Sequence, residues 1–227
     1  QNTLTLEDAV LKRWTSLAPE KIQDLQWNNE KDFFSYQKSD TVIYFCNYNN
    51  QLIDSISLHQ INSSFSDANP LSKVPKIKWV SAHSFMFKHE QQYYNLNIKR
   101  GKKAQPIFSM HKSSNHIDFN NQNTRYAYTL DNNLYVVSED NQHKKITHDN
   151  NKNIVYGHVV HRYEFGINKG TFWSNDGSKL AFYRKDESMV TDYPLLDISG
   201  RLDTSHMIKY PMAGMLSHHV KVGVYDT

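Results

Sequence analysis

The chain has 227 residues, enough to bury a sizeable core as one large domain or two small ones. A formal net charge of +3, drawn from 26 basic and 23 acidic side chains with no long Lys or Arg run, argues against a nucleic-acid-binding face. No apolar run approaches the roughly 18 residues of a membrane helix, and Cys46, the single cysteine, excludes an internal disulfide and a thiolate zinc site.

The first element expected is a helix over the N-terminal approach segment, residues 1–20. Thr5 can cap it, Glu7 and Asp8 suit the positive end of its dipole, and Val10, Leu11 and Trp14 fall on one face. Pro19 ends the segment, and from Ile22 onward the period changes from helical to alternating. With aromatic residues at 13% of the chain, the remainder, residues 21–227, reads entirely as strands. Cys46 is expected inside one of them, Ile43-Tyr44-Phe45-Cys46.

A loose repeat organises these strands. Trp27 precedes Phe33-Phe34-Ser35-Tyr36, Trp79 precedes Phe85-Met86-Phe87, Phe119 precedes Tyr126-Ala127-Tyr128, and Trp173 precedes Leu180-Ala181-Phe182. The four anchors are spaced roughly 40–55 residues apart, close to the length of a four-stranded propeller blade. Asp131-Asn132-Asn133 and Asn175-Asp176-Gly177 offer residues that tolerate positive φ between paired strands, and Asn49-Asn50 and Asn150-Asn151 suit loop tips. Lys99, Arg100, Lys102 and Lys103 around Gly101 suit a solvated turn. Pro194 and Gly200 interrupt alternation between Asp192 and Asp203, which predicts an excursion outside the sheet. The fold class expected is therefore all-β, a partial β-propeller of about four blades behind a short N-terminal helix.

Chemistry-bearing motifs are sparse. There is no Gly-x-Ser-x-Gly nucleophile elbow and no Gly-rich phosphate loop, so neither a complete hydrolase triad nor a nucleotide cofactor is expected in this chain. His158 with His161, or His218 with His219, could be imagined as metal ligands. Adjacent strand residues point to opposite faces, however, and no metal or other cofactor is expected.

The most informative stretch runs from Val160-His161-Arg162-Tyr163-Glu164-Phe165-Gly166 through Thr171-Phe172-Trp173-Ser174-Asn175-Asp176-Gly177 to Asp192-Tyr193-Pro194. With Tyr210-Pro211-Met212-Ala213-Gly214 and Val222-Gly223-Val224-Tyr225-Asp226, it resembles the propeller of the dipeptidyl peptidase IV family of serine peptidases, its bacterial members especially. Leu4-Thr5-Leu6-Glu7-Asp8 and Leu17-Ala18-Pro19-Glu20 are similar to the same family's N-terminal approach. The resemblance is dense over residues 155–227 and thin between about 40 and 150.

It implies a parent enzyme with an eight-bladed propeller over an α/β-hydrolase domain, removing short N-terminal units from peptides with penultimate Pro or Ala. The catalytic Ser, Asp and His belong to that C-terminal domain, so this chain alone is not expected to be an enzyme. In the family a glutamate on a short helical excursion grips the substrate's free ammonium. The position it implies here is Glu164, with Arg162 and Tyr163 as neighbours, although Tyr163 stands where many members have a second glutamate. That departure leaves dipeptidyl and tripeptidyl release open, and no residue is matched to the family's substrate-binding propeller arginine.

A protein-interaction propeller without a hydrolase is the alternative class. On family grounds the setting is periplasmic or secreted. The chain stops just after the alternating Val220–Tyr225 segment, as expected of one part of a longer protein. Unclosed strand edges predict self-association into a homo-oligomer, or a mobile last blade.

Overall fold

The computed structural model describes residues 3–19, 21–28, 30–65, 69–100 and 103–227, the side chains of Arg100 and Arg162 excepted. The chain divides into two compact units, Gln1–Ser109 and Met110–Thr227.

The first unit holds two four-stranded antiparallel meanders. One is β1 (Gln23–Trp27), β2 (Phe33–Ser39), β3 (Val42–Asn47) and β4 (Leu52–Ser57) in that order. The other is β5 (Ile77–Ser81), β6 (Ser84–His89), β7 (Gln92–Asn97) and β8 (Gln105–Ser109). Alternation in β2 puts Phe33, Ser35 and Gln37 into the interior and leaves Phe34 and Tyr36 half-buried. Phe33, Ile43 and Phe45 of the first sheet then share a core with Ile77, Phe85, Phe87 and Leu96 of the second. Each such ring or branched chain contributes about 1.5–3 kcal/mol on full burial. Polar side chains fix the two sheets against each other: Gln26 Nε2 donates to the Ile77 carbonyl at 2.9 Å, and Asn28 Nδ2 to the Ser81 carbonyl at 3.1 Å.

The second unit begins with another meander, β9 (Asn115–Phe119), β10 (Tyr126–Leu130), β11 (Asn133–Val137) and β12 (His143–Lys145). The β10–β11 turn places Asp131 at φ 48° and Asn132 at φ 62°, the paired left-handed residues of a two-residue hairpin. The next sheet contains β13 (Ile154–Tyr156), β14 (Thr171–Trp173), β15 (Lys179–Asp186) and a late strand, which is β18 (His219–Asp226). Between β15 and β18 the chain leaves as a separate hairpin of β16 (Asp192–Asp197) and β17 (Thr204–Lys209), the excursion that Pro194 and Gly200 predict.

The repeat anchors all pair with the first or second residue of the next strand. Trp27 pairs with Phe34, Trp79 with Phe85, Phe119 with Tyr126 and Trp173 with Leu180, each across to the strand that follows. Successive four-stranded antiparallel sheets with an anchor at this point are the blade repeat of a propeller, and the fold is all-β, a partial β-propeller.

Helical structure departs from expectation in two ways. The N-terminal turn forms, with Thr5 Oγ1 accepting from the Asp8 N–H at 3.1 Å and the Asp8 carboxylate accepting from the Thr5 N–H at 3.0 Å. It is a π-type turn over Asp8–Lys12, however, and Val10, Leu11 and Trp14 share no buried face, being 59%, 66% and 73% exposed. The all-strand reading beyond Ile22 is also corrected, because α1 (Leu58–Ser63) follows β4. A capping box causes it: Ser57 Oγ accepts from the Gln60 N–H at 3.2 Å, and Gln60 Oε1 accepts from the Ser57 N–H at 2.8 Å. Ile61 then anchors the turn in the core.

Candidate functional site

The site grows from an interruption of one sheet edge. β13 and β14 both pair with the same edge of β15, Tyr156 opposite Arg184 and Thr171 opposite Phe182. Residues 157–170 leave between them. Tyr183 closes the neck with both of its backbone groups, its carbonyl accepting from the Gly157 N–H at 2.9 Å and its N–H donating to the Gly170 carbonyl at 3.0 Å. Two glycines permit that approach. Gly157 has φ +67°, and a Cβ on Gly170 would overlap the His158 carbonyl.

The excursion is fastened on its far side by Asp118 of β9. That residue's carboxylate accepts from Lys169 Nζ at 3.1 Å and from Thr171 Oγ1 at 2.9 Å, while its carbonyl accepts from Trp173 Nε1 at 3.0 Å. Within the excursion, His161–Gly166 forms a short 3₁₀ turn entered from extended, buried Val160. His161, Tyr163 and Phe165 all have left-handed φ, at 51°, 67° and 57°. A residue with a Cβ pays about 1–2 kcal/mol for that conformation, and such strain concentrates where a segment has a surface to present.

Glu164 sits on this turn and lines an open cavity of about 550 Å³ with Tyr163, His161, Lys185, Glu187, Lys209 and His218. The cavity's other charges are already matched. Lys185 Nζ stands 2.8 Å from Glu187 Oε1 with both side chains about 15% exposed, and Lys209 Nζ is 3.0 Å from Asp192 Oδ1. The Glu164 carboxylate forms no ion pair among the described residues.

The histidines combine differently from the pairs that the sequence suggests. His158 packs against His116 with the rings tilted at 46° and their centroids 4.1 Å apart, and the His161 and His218 ring centroids are 5.6 Å apart. His116 Nδ1 is 2.9 Å from Thr129 Oγ1. Burial, then the neighbouring His116 and Lys185, push the His158 imidazole down to about 4. Burial first and Lys185 second also lower His116, and the same two causes lead for His218, where Glu187 opposes them. His218 Nε2 is buried without a hydrogen-bond partner among the described residues, whereas His219 opens β18. No group of three His, Cys, Asp or Glu side chains that could hold a metal is present among the described residues.

Tyr163 and Glu164 are thus brought to one cavity, while the Arg162 side chain lies outside the described residues. Sequence reasoning missed Lys185, Glu187 and His116. The first two were accessible as an i, i+2 pair at the end of an alternating strand, which share a face.

Blade-type sheets, one of them opened by an excursion with left-handed backbone that brings Glu164 to a cavity, define a propeller module. The model of the dipeptidyl peptidase IV N-terminal region matches residues 73–227, and the chain belongs to that family. The probable dipeptidyl-aminopeptidase B of Phaeosphaeria nodorum is 37% identical over 124 residues, covering 48% of this chain and 14% of that protein. Its counterpart in Talaromyces stipitatus is 36% identical over 116 residues, 44% of this chain and 13% of that one. Among solved structures, a candidate dipeptidyl aminopeptidase IV from Bacteroides ovatus has a TM-score of 0.74 at 37% identity, over 91% of this chain and 29% of that chain. Porphyromonas gingivalis dipeptidyl peptidase 4 shares the fold at a TM-score of 0.72 and 19% identity, over 100% of this chain and 34% of that one. The chain therefore spans about a third or less of the length of these relatives.

Proposed function

We propose that this chain is the substrate-side propeller portion of a proline-specific dipeptidyl peptidase. In this reading Glu164 receives the free ammonium of the peptide and the propeller controls access, while peptide-bond cleavage falls to a hydrolase domain elsewhere in the longer protein. A periplasmic or secreted setting goes with the proposal, on family grounds alone.

The observation that supports it is the position of Glu164: an acid on a strained excursion, lining a cavity whose other charges are paired. A carboxylate and an ammonium about 4 Å apart attract by about 4 kcal/mol at an effective dielectric near 20, and a blocked N-terminus forfeits that attraction. Tyr163, in place of a second acid, leaves one carboxylate on the segment to do this work.

The test uses the full-length protein and its Glu164→Gln variant, which keeps the shape and removes the charge. Loss of one charge-assisted contact predicts a fall in kcat/KM for Ala-Pro amides of about thirty- to a hundredfold. N-acetylated substrate should be poor for both proteins. Equal kinetics in variant and parent would remove Glu164 from the mechanism, and product sizes from defined peptides separate dipeptide from tripeptide release.

A further inference from the structure

The excursion presents more than its acid. Tyr163 is 66% exposed, has left-handed φ at 67°, and makes no hydrogen bond among the described residues. It lines the cavity of Glu164 and also a smaller cavity of about 170 Å³ on the side of Asp118 and Lys169. An aromatic ring held in solvent on a strained backbone gains nothing for the fold, since it buries little and constrains its own φ.

Covalent geometry says what such a ring meets once a peptide is bound. In any peptide the N-terminal nitrogen and the first Cβ are bonded to the same Cα and lie about 2.5 Å apart. An ammonium hydrogen-bonded to Glu164 therefore carries the first side chain to within roughly 5–6 Å of that carboxylate. The cavity of about 550 Å³ is many times larger than an ammonium, so room is left for that side chain. Val159, Pro211 and Tyr163 supply the apolar lining, and of these only Tyr163 stands on the turn that bears Glu164.

We propose that Tyr163 is a specificity-determining residue, the wall against which the first side chain of the substrate packs, favouring a bulky apolar first residue over glycine. The proposal rests on the reading of Glu164 as the ammonium acceptor. Phe165, although 84% exposed, does not line this cavity; its ring stands edge-on to His161 at 5.8 Å.

The experiment compares kcat/KM for Phe-Pro and Gly-Pro amides in the full-length protein and in the Tyr163→Ala, Tyr163→Phe and Glu164→Gln variants, with each fold checked by circular dichroism. The parent should prefer Phe-Pro by about tenfold, the discrimination that one apolar wall supplies. Tyr163→Ala should bring the ratio toward one and Tyr163→Phe should keep it. Glu164→Gln should lower both rates together and leave the ratio standing. A ratio unchanged in Tyr163→Ala, or a parent without the preference, overturns the assignment of Tyr163 even where Glu164→Gln confirms the acid. Glu164→Gln without effect on either substrate overturns the reading beneath it.

Discussion

The indole N–H of Trp173 donates to the main-chain carbonyl of Asp118 at 3.0 Å, joining β14 to β9, the strand that opens the preceding sheet. In the other unit the Trp79 indole N–H also links two sheets, donating to the side-chain Oγ of Ser35 in β2 at 3.0 Å. Ser35 is fully buried, so Trp79→Phe leaves its hydroxyl unsatisfied and should destabilise the chain by about 1–3 kcal/mol. Adding Ser35→Ala should recover part of that loss. Chemical-denaturation midpoints of the two single variants and the double variant check this.

The neck of the excursion is the second sensitive point. Gly170→Ala drives a Cβ into the His158 carbonyl, a backbone atom that cannot step aside. The expected loss is about 1–3 kcal/mol. Hydrogen exchange should report it first at the Gly157 and Tyr183 amides, whose bonds close the neck.

Stability should also depend on pH through His158. Held at about 4 in the fold by burial, His116 and Lys185, it is neutral there while the unfolded chain's imidazole protonates near 6.5. Between those values the unfolded state binds more protons, so the contribution is present above about 6.5 and is lost as pH falls toward about 4. His116, lowered in the same direction, adds to the slope. Melting temperatures across this window should drop on acidification, and His158→Asn should flatten the curve.

The Lys185–Glu187 pair gives a test of charge burial. Both side chains are about 15% exposed, so Glu187→Gln strands a cation and should cost about 3 kcal/mol or more. The double change Lys185→Met with Glu187→Leu, which removes both charges, should be close to neutral in urea unfolding.

What could be read from residue order alone was what local chemistry decides. Asp131-Asn132 and Asp176-Gly177 announce their turns because positive φ is a property of those residue types, and Gly177 does adopt φ +71°. The anchors were legible because each precedes an alternating aromatic or apolar strand, and all four pair with the first or second residue of that strand. The capping box Ser57-x-x-Gln60 was equally local and was lost among strand signals. The site was harder. Gly157 and Gly170 acquire meaning only when Tyr183, farther along the chain, bonds to both. His116 reaches His158 only through the stacking of two sheets. Glu164 itself came from family likeness, since nothing in its spacing distinguishes it from a loop acid.

Gly157 and Gly170 meet across a single residue of β15, so the ladder on either side does not register what the intervening chain contains. Length and composition there can change while Ile154–Tyr156 and Thr171–Trp173 keep their partners. The two glycines thus act as a mount whose backbone closure is separate from the residues it carries, and a transplanted segment closed in the same way would inherit it.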